Sequence, residues 1–256
     1  MSSPSTGMRP VLAAVQPVLK DLGYRRSGST FNRAIEPDGL VHVVDFHRTG
    51  FIQTVPGERW VTTPYGGFTV GLGVWLPGVW QQIRVPEEWD DTMERKPISS
   101  GSCHVREGLG HFFPIPCDYH WPVADDEAAQ VVAAGLTQYG LPWLDGYLSW
   151  DQVLHQFEDG PPGNRLLAMG MRLARGEHDE AQHDFEERLA SLAAGPGNRA
   201  MQVLKPDHTV AWFIESLGRI AVAHHFDVDV RAYAAQGRRR EQAEKQAIAT
   251  EQGERS

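Results

Sequence analysis

The sequence predicts an α+β protein: an N-terminal helix on an antiparallel sheet of about four or more strands, followed by a helical C-terminal half. Three observations predict it. Gly67–Gly78 reads GFTVGLGVWLPG, in which Phe68, Val70, Leu72, Val74 and Leu76 alternate without a break, the period of a strand with one buried face. Beyond Trp121 the apolar period lengthens from two to about 3.6, the period of a helix. The run Gly160-Pro161-Pro162-Gly163 is the clearest punctuation in the chain and separates the two halves. Residues 1–160 are therefore expected as an α+β domain, 161–230 as a helical subdomain, and 231–256 as a polar helix or disordered tail.

The Gly67–Gly78 stretch is expected as the central strand. Its second face holds Thr69, Gly71, Gly73 and Trp75, and the two glycines leave that face bare for close backbone approach. Ahead of it, Arg9–Leu22 carries Val11, Val15, Val18 and Leu22 at helical spacing, widened by Leu12 and Leu19. Gly23 is placed to end that helix in a left-handed cap. Ser29–Ile35 and Leu40–His47 read as a hairpin around Pro37-Asp38-Gly39, with Val44 and Phe46 on one face and Val41 and Val43 on the other. Thr49–Gly66 is expected as a loop. Val79–Gly101 reads as an irregular connection with one helical turn, carrying Trp80, Trp89 and the acids Glu87, Glu88, Asp90 and Asp91. Ser102–Arg106 reads as a fourth strand with Cys103 and Val105 on one face.

Asp125–Tyr139 begins with acids, suited to a helix N-terminus, and directs Ala128, Val131, Val132 and Leu136 inward. Ser149 is an N-cap for Trp150–Phe157. Leu166–Arg175 and Asp179–Ala193 form a helical hairpin broken at Gly176, and Leu173, Ala174, Gly176, Glu180, Ala181 and Phe185 match one tetratricopeptide-type unit. Such units need about three stacked copies, and only a loose second partner follows in Thr209–Phe226, so no array is expected. That last helix is apolar at Val210, Trp212, Phe213, Ile214, Leu217, Ile220 and Ala221 and is expected in the core. From Arg238 onward the chain is polar, a solvated helix or a disordered tail.

Composition excludes several function classes. The 256 residues are 41% hydrophobic and 22% charged, an ordinary globular balance. A net charge of −9 argues against broad binding to nucleic acid or anionic membranes, both of which need a basic face. Two cysteines allow at most one disulfide, which rules out a stapled secreted scaffold. The opening MSSPSTGMRP carries no signal-peptide pattern, and no apolar run approaches the ~20 residues that span a bilayer. A cytoplasmic protein with reduced thiols is expected.

The run Leu22-Gly23-Tyr24-Arg25-Arg26-Ser27-Gly28-Ser29-Thr30-Phe31-Asn32-Arg33 resembles the opening signature of the bacterial family catalogued as domain of unknown function 4304. In that family a first helix ends in a glycine-aromatic-basic segment and leads into a Thr-Phe-x-Arg strand. Phe68-Thr69-Val70-Gly71-Leu72-Gly73-Val74 and Cys103-His104-Val105-Arg106 fit the same pattern. The resemblance covers roughly residues 8–157 and implies the α+β half of the fold. It implies no activity and no functional residue, and the family often carries glutamine where this chain has His47.

Candidate chemistry is sparse. Cys103, His104, His111, Cys117 and His120 are all ligand types, and Cys117-x-x-His120 has usable zinc spacing. Cys103 and His104 are adjacent, so a strand would point them apart, and a second chelating pair is missing; no metal and no cofactor are expected. A nucleophilic Cys103 or Cys117 needs a nearby base, and reduced cysteine is more often core. Asp90–Asp91, Asp125–Asp126 and Glu186–Glu187 read as helix-end or surface acids, not catalytic pairs. Gly71-x-Gly73 lies inside a strand and lacks the lysine of a phosphate cradle. Arg25, Arg26, Arg33, Arg48 and Arg106 cluster in the first half, and His42, His104 and Arg106 could share one sheet face and hold an anion.

The function expected from the sequence is a non-enzymatic protein-binding module, adaptor or immunity-like. It lacks a catalytic motif, and its helical hairpin and tryptophans suit protein contacts. The competing expectation is a hydrolase or small-ligand enzyme using a His/Arg-rich sheet face, with His42, His47, His104 and Arg106 as candidates. A pocket lined by two of those four favours the enzyme; Trp75, Trp80, Trp89 and Trp143 on one exposed patch favour the binder.

Overall fold

The computed structural model describes residues 8–52, 61–83, 97–114, 116, 119–123, 126–158, 165–194 and 210–253. In chain order the described elements are α1 (Arg9–Asp21), β1 (Arg25–Ser27), β2 (Thr30–Ile35), β3 (Leu40–Ile52), β4 (Val61–Trp75) and α2 (Val79–Ile83). A 3₁₀ turn (Ser100–Ser102), β5 (Val105–Gly108), a second 3₁₀ turn (Leu109–Phe112) and β6 (Trp121–Pro122) follow. Then come α3 (Asp126–Gly135), a π-helical turn (Leu136–Gly140), α4 (Leu141–Leu144) and α5 (Trp150–Glu158). The chain continues through α6 (Arg165–Arg175), α7 (His178–Ala194), α8 (Val210–Ala223) and α9 (Val230–Gly253). It is the predicted α+β order: a helix, an antiparallel sheet, then a helical half. The chain divides into two compact units, Met1–Pro77 with Asp90–Val153, and Gly78–Trp89 with Leu154–Ser256.

In the first unit, α1 ends as predicted at Gly23, whose φ of 86° is open to a residue without Cβ. The Gly23 amide donates to Lys20 O and the Tyr24 amide to Leu19 O, both at 2.9 Å, the two bonds of a Schellman cap. The buried stripe of α1 is Val11, Leu12, Val15 and Leu19. Val18 and Leu22, expected in that stripe, are exposed, because Leu12 and Leu19 carry the buried face round to the other side of Val15. The sheet runs β1-β2-β3-β4-β5, all antiparallel, with β6 beside β5 on the same edge of β4. β3, not the glycine-rich strand, is the middle one of that order; β4 lies between β3 and the short β5 and β6. The segment expected as a loop over Thr49–Gly66 contributes its ends to these strands, since pairing resumes at Phe51↔Thr62 after an irregularity. Ser102–Cys103, expected at the start of the fourth strand, precede it; β5 begins at Val105.

Register puts Phe31, Val44 and Leu72 in one row and Phe46 beside Val70, so this first face is apolar across three strands. An aromatic line follows it: Phe31–Phe46 at 6.0 Å, Phe46–Phe68 at 6.3 Å, Phe68–Trp121 at 5.8 Å and Trp121–Phe113 at 6.0 Å between ring centroids. α1 packs along α3, and the π-helical turn brings Gly140 against Leu72 of β4. Ala128, Val132 and Leu136 are buried as expected, whereas Val131 is 40% exposed, on the outer side of α3. The Trp150 amide and indole N–H both donate to Asp38, so the hairpin turn anchors the start of α5. Ser149 Oγ accepts the Gln152 amide at 3.2 Å, the predicted N-cap.

The second face of the sheet is covered around Val43, Gly71 and Gly73 by the segment Pro97–Cys103, a strap of irregular chain. Val43, Ile98 and Cys103 form a small apolar cluster there, with Val41 and Trp75 at its edge. Gly71 and Gly73 make the approach feasible: a Cβ on Gly71 would sit 2.5 Å from Ser100 Oγ, and one on Gly73 2.5 Å from Cys103 Sγ.

The second unit is helical. α6 ends at Gly176 (φ 80°) in another Schellman cap, with the Glu177 amide donating to Arg172 O. Asp184, 3% exposed, accepts from Arg172 Nε at 2.8 Å and Arg165 Nη1 at 3.3 Å, tying α7 to α6. Gly170 of α6 lets α2 approach, since a Cβ would lie 2.4 Å from Ile83 Cγ2. Ile214, Ile220 and Ala221 of α8 are buried as expected. Arg240 of α9 donates to Leu192 O and Ala193 O, capping the last carbonyls of α7.

Gly73→Ala is expected to cost about 1–3 kcal/mol through overpacking of Cys103. Urea denaturation of the full chain checks this, and in a Cys103→Gly background the same substitution should cost measurably less.

Candidate functional site

The polar groups that converge in the first unit lie under the strap. Alternation along β3 sends Val41, Val43, Asp45 and His47 to the strap face, while His42, Val44 and Phe46 go to the aromatic face. Asn32, also on the strap face, holds the strap with both ends of its amide: Nδ2 donates to Ile98 O at 2.9 Å, and Oδ1 accepts the Ile98 amide at 2.8 Å. Asp45 accepts from Thr30 Oγ1 at 2.8 Å through Oδ1 and from the Ser100 amide at 3.1 Å through Oδ2. His47 Nε2 is 2.7 Å from Ser100 Oγ and 3.2 Å from Asp45 Oδ2.

Serine, histidine and aspartate thus meet, but not as a nucleophile relay. In a relay the acid binds one ring nitrogen and the serine the other, leaving the second nitrogen's lone pair to take the serine proton. In this chain both contacts fall on Nε2. A lone pair on Nε2 would face the Asp45 carboxylate, so Nε2–H is the favoured state, donating to Asp45 and Ser100 Oγ. Ser100 Oγ is then an acceptor, the reverse of an activated nucleophile. Neither Asp45 nor Ser100 stands out as a candidate in the sequence. The signal that could have found them is one acid inside the apolar run Val43–Phe46.

The four candidates do not converge. His42 is fully buried on the opposite face from His47, and its Nε2–H donates to Tyr147 O at 2.8 Å while Nδ1 has no partner. Burial pushes its pKa below the ordinary histidine value; the Tyr147 carbonyl and the Asp145 charge oppose that, and Arg33 adds to it. Tyr24, buried nearby and under the Arg33 guanidinium, has its phenol pushed up by burial. His104 precedes β5 and accepts the Leu76 amide on Nδ1 at 3.0 Å, sealing the end of β4. Arg106 faces the strap side opposite Gly73, is exposed, and donates to Gly101 O at 3.4 Å. The idea that His42, His104 and Arg106 share one sheet face is therefore overturned by the register: Arg106 lies on the opposite face from His42, and His104 lies outside the strand.

The ligand-type residues are likewise dispersed. The Cys103 thiol donates to Ser99 O at 3.4 Å, and burial, with the Asp45 charge second, pushes its pKa up, so it is a thiol at neutral pH. His111 pairs with Glu107, and His120 Nδ1 lies 3.3 Å from Thr49 Oγ1. Cys117 lies outside the described residues, as do Trp89, Asp90, Asp91 and Asp125. Among the described residues no three His, Cys, Asp or Glu side chains group so as to hold a metal ion. Glu187 pairs with Arg165 at 3.1 Å and Glu186 accepts from Gln182, which makes that acid pair part of the helix surface. Trp75 packs on the Ile98 cluster and Trp143 against Tyr147 and Phe112, so neither is an exposed anchor.

One concave feature of this unit is a cleft of about 610 Å³ beside β1, lined among others by Arg25, Asn32, Ala34, Glu36, Val41 and Ile98. Its size is that of a ligand pocket. Two residues of the basic cluster noted in the sequence, Arg25 and Arg26, line it. Arg26 is already engaged, donating to Gln16 Oε1 at 2.7 Å and Gly28 O at 2.9 Å.

A leading helix, a hairpin-built antiparallel sheet and a strap on its second face define an α+β domain of the kind the opening motif suggested. The model of the family described as Domain of unknown function (DUF4304) matches residues 15–146, just over half of the chain, and the protein belongs to that family. The match is shorter at both ends than the resemblance read from the motifs, and it leaves α5–α9 outside. No curated protein and no solved structure matches the chain. No helix among the described residues is long and apolar enough to cross a membrane.

Because burial holds His42 below its unfolded value, the unfolded chain binds the extra proton first as pH falls. The stabilisation is complete above pH about 6.5 and is lost as the pH drops toward the folded value. Urea unfolding at pH 7 and pH 5 should therefore show a smaller acid-side loss in His42→Gln than in the parent, with Arg33, Asp145 and Tyr24 unchanged around it.

Proposed function

We propose that this protein is a cytoplasmic, non-enzymatic binding module that engages another protein, and that the cleft beside β1 is its contact site. The observation that carries the reading is the cleft itself: an open, ligand-sized recess in which apolar Ala34, Val41 and Ile98 lie beside Arg25, which has no partner among the described residues, and in which no histidine or cysteine stands among the described lining residues. Such a mixture suits recognition by burial plus charge and gives bond-breaking chemistry no purchase. Elsewhere in the unit the groups with catalytic potential serve packing. Asp45 and Ser100 hold the strap, His104 seals β4, and Cys103 is a protonated core thiol.

The competing reading, a hydrolase or small-ligand enzyme on the histidine-rich sheet, has one observation in its favour, the 2.7 Å contact between His47 and Ser100. A serine-directed fluorophosphonate probe separates the two: labelling at Ser100 supports the hydrolase, and its absence in folded protein supports the binder.

The direct test is tagged recovery from the native cell at physiological salt, comparing the parent with an Arg25→Glu/Ala34→Glu variant shown to fold. A stoichiometric partner recovered with the parent and lost with the variant is expected. A partner retained by both would rule out the cleft as the contact site, and no partner at all would contradict the binding reading.

A further inference from the structure

The cleft beside β1 has a charge order along its length. Register places Arg25 directly opposite Asn32 on the strap face. β2 then lays Ala34 on that same face and ends at Ile35, and Glu36, in the turn that follows, also lines the cleft. Arg25, opposite Asn32, and Glu36 therefore mark the two ends of the run Asn32–Glu36, whose four residue steps span at most about 14 Å. Ala34, Val41, Pro97 and Ile98 line the cleft with apolar surface. Arg25 and Glu36 have no hydrogen-bond or ion-pair partner among the described residues, whereas Asn32 commits its amide to Ile98. Both charged ends are thus available to an occupant.

An extended segment has the matching repeat. In a strand, residues i, i+2 and i+4 share a face at about 3.3 Å per residue, so an acid, a small apolar residue and a base at those positions meet Arg25, Ala34 and Glu36 in turn. Resting on the binding reading above, we infer that the cleft takes an extended segment of the partner protein with an acidic and a basic side chain four residues apart and a small apolar side chain between them. The two charges fix the register, and the apolar floor supplies burial.

The test uses the full chain and four fluorescent heptapeptides, acetylated and amidated, with valine at the centre and serines elsewhere. Their second and sixth positions are acid and base, both acid, both base, or both serine. Fluorescence anisotropy should rank the mixed-charge peptide first for the parent protein. Arg25→Glu should move the preference to the doubly basic peptide and Glu36→Lys to the doubly acidic one, each by about tenfold and each less at high salt. Circular dichroism and urea unfolding establish that both variants fold. Equal binding of all four peptides, no binding of any, or a preference that does not move with the variants overturns the inference. If the recovered partner depends on the cleft while the peptides show no charge preference, the inference fails and the binding reading stands; if no partner is recovered, the binding reading fails first.

Discussion

One carboxylate organises the first unit. Asp45 sits in the middle of β3, flanked by Val44 and Phe46, and is almost wholly buried. A charge in that position is costly unless each oxygen is satisfied, and Thr30 Oγ1 and the Ser100 amide satisfy them. The Ser100 amide belongs to the strap, so the same bond that solves the charge problem fixes where the strap lies. The rest follows from that placement. Ile98 must reach the sheet to form its cluster with Val43 and Cys103, and Asn32 reads its peptide on both sides. Gly71 and Gly73 must lack side chains for Ser100 and Cys103 to come so close. Pro97 and Ile98 then become one wall of the cleft beside β1.

The same placement commits the polar groups of this sheet, a serine, an aspartate and a cysteine among them, to contacts within the fold. Groups that catalyse must keep a lone pair or a proton free toward a substrate. Asp45 has both oxygens occupied, His47 offers one nitrogen to two partners, and Cys103 is buried against Ser99 O. Beside β1 a recess lined by apolar residues together with Arg25 and Glu36 stays open to solvent.

Much of the fold is legible in the sequence because it rests on local rules. The two-residue period of Phe68–Leu76, the Gly23 and Gly176 caps, the Pro37-Asp38-Gly39 turn and the Ser149 N-cap each depend on neighbours in sequence, and each appears where the residues put it. Expectation and structure part where the outcome depends on distant chain. The stripe of α1 excludes Val18 and Leu22 because packing selects Leu12 and Leu19 from an apolar set wide enough to allow either. The glycine-rich strand reads as central because its apolar face alternates without a break and its glycines leave the other face bare, but the strap comes to lie on that bare face and only two short strands line its far edge. Composition groups the candidate histidines and register separates them: His42 and His47 have opposite parity on β3 and cannot share a face. The Asp45–Ser100 contact spans fifty-five residues, a pairing no local pattern announces.

Asn32 and Asp45 are two of the side chains that fix the strap to the sheet, and each binds a backbone amide of it. Amide hydrogen exchange at Ile98 and Ser100 tests that most directly, because each amide donates to one of those two side chains. Both should exchange as slowly as the β3–β4 ladder amides, opening only with the unit as a whole, and the Ser100 amide should lose that protection in Asp45→Ala. Exchange of both at the rate of an unprotected loop in the parent protein would contradict this: the strap would not be held, and the bare glycines and the cleft wall would need another cause.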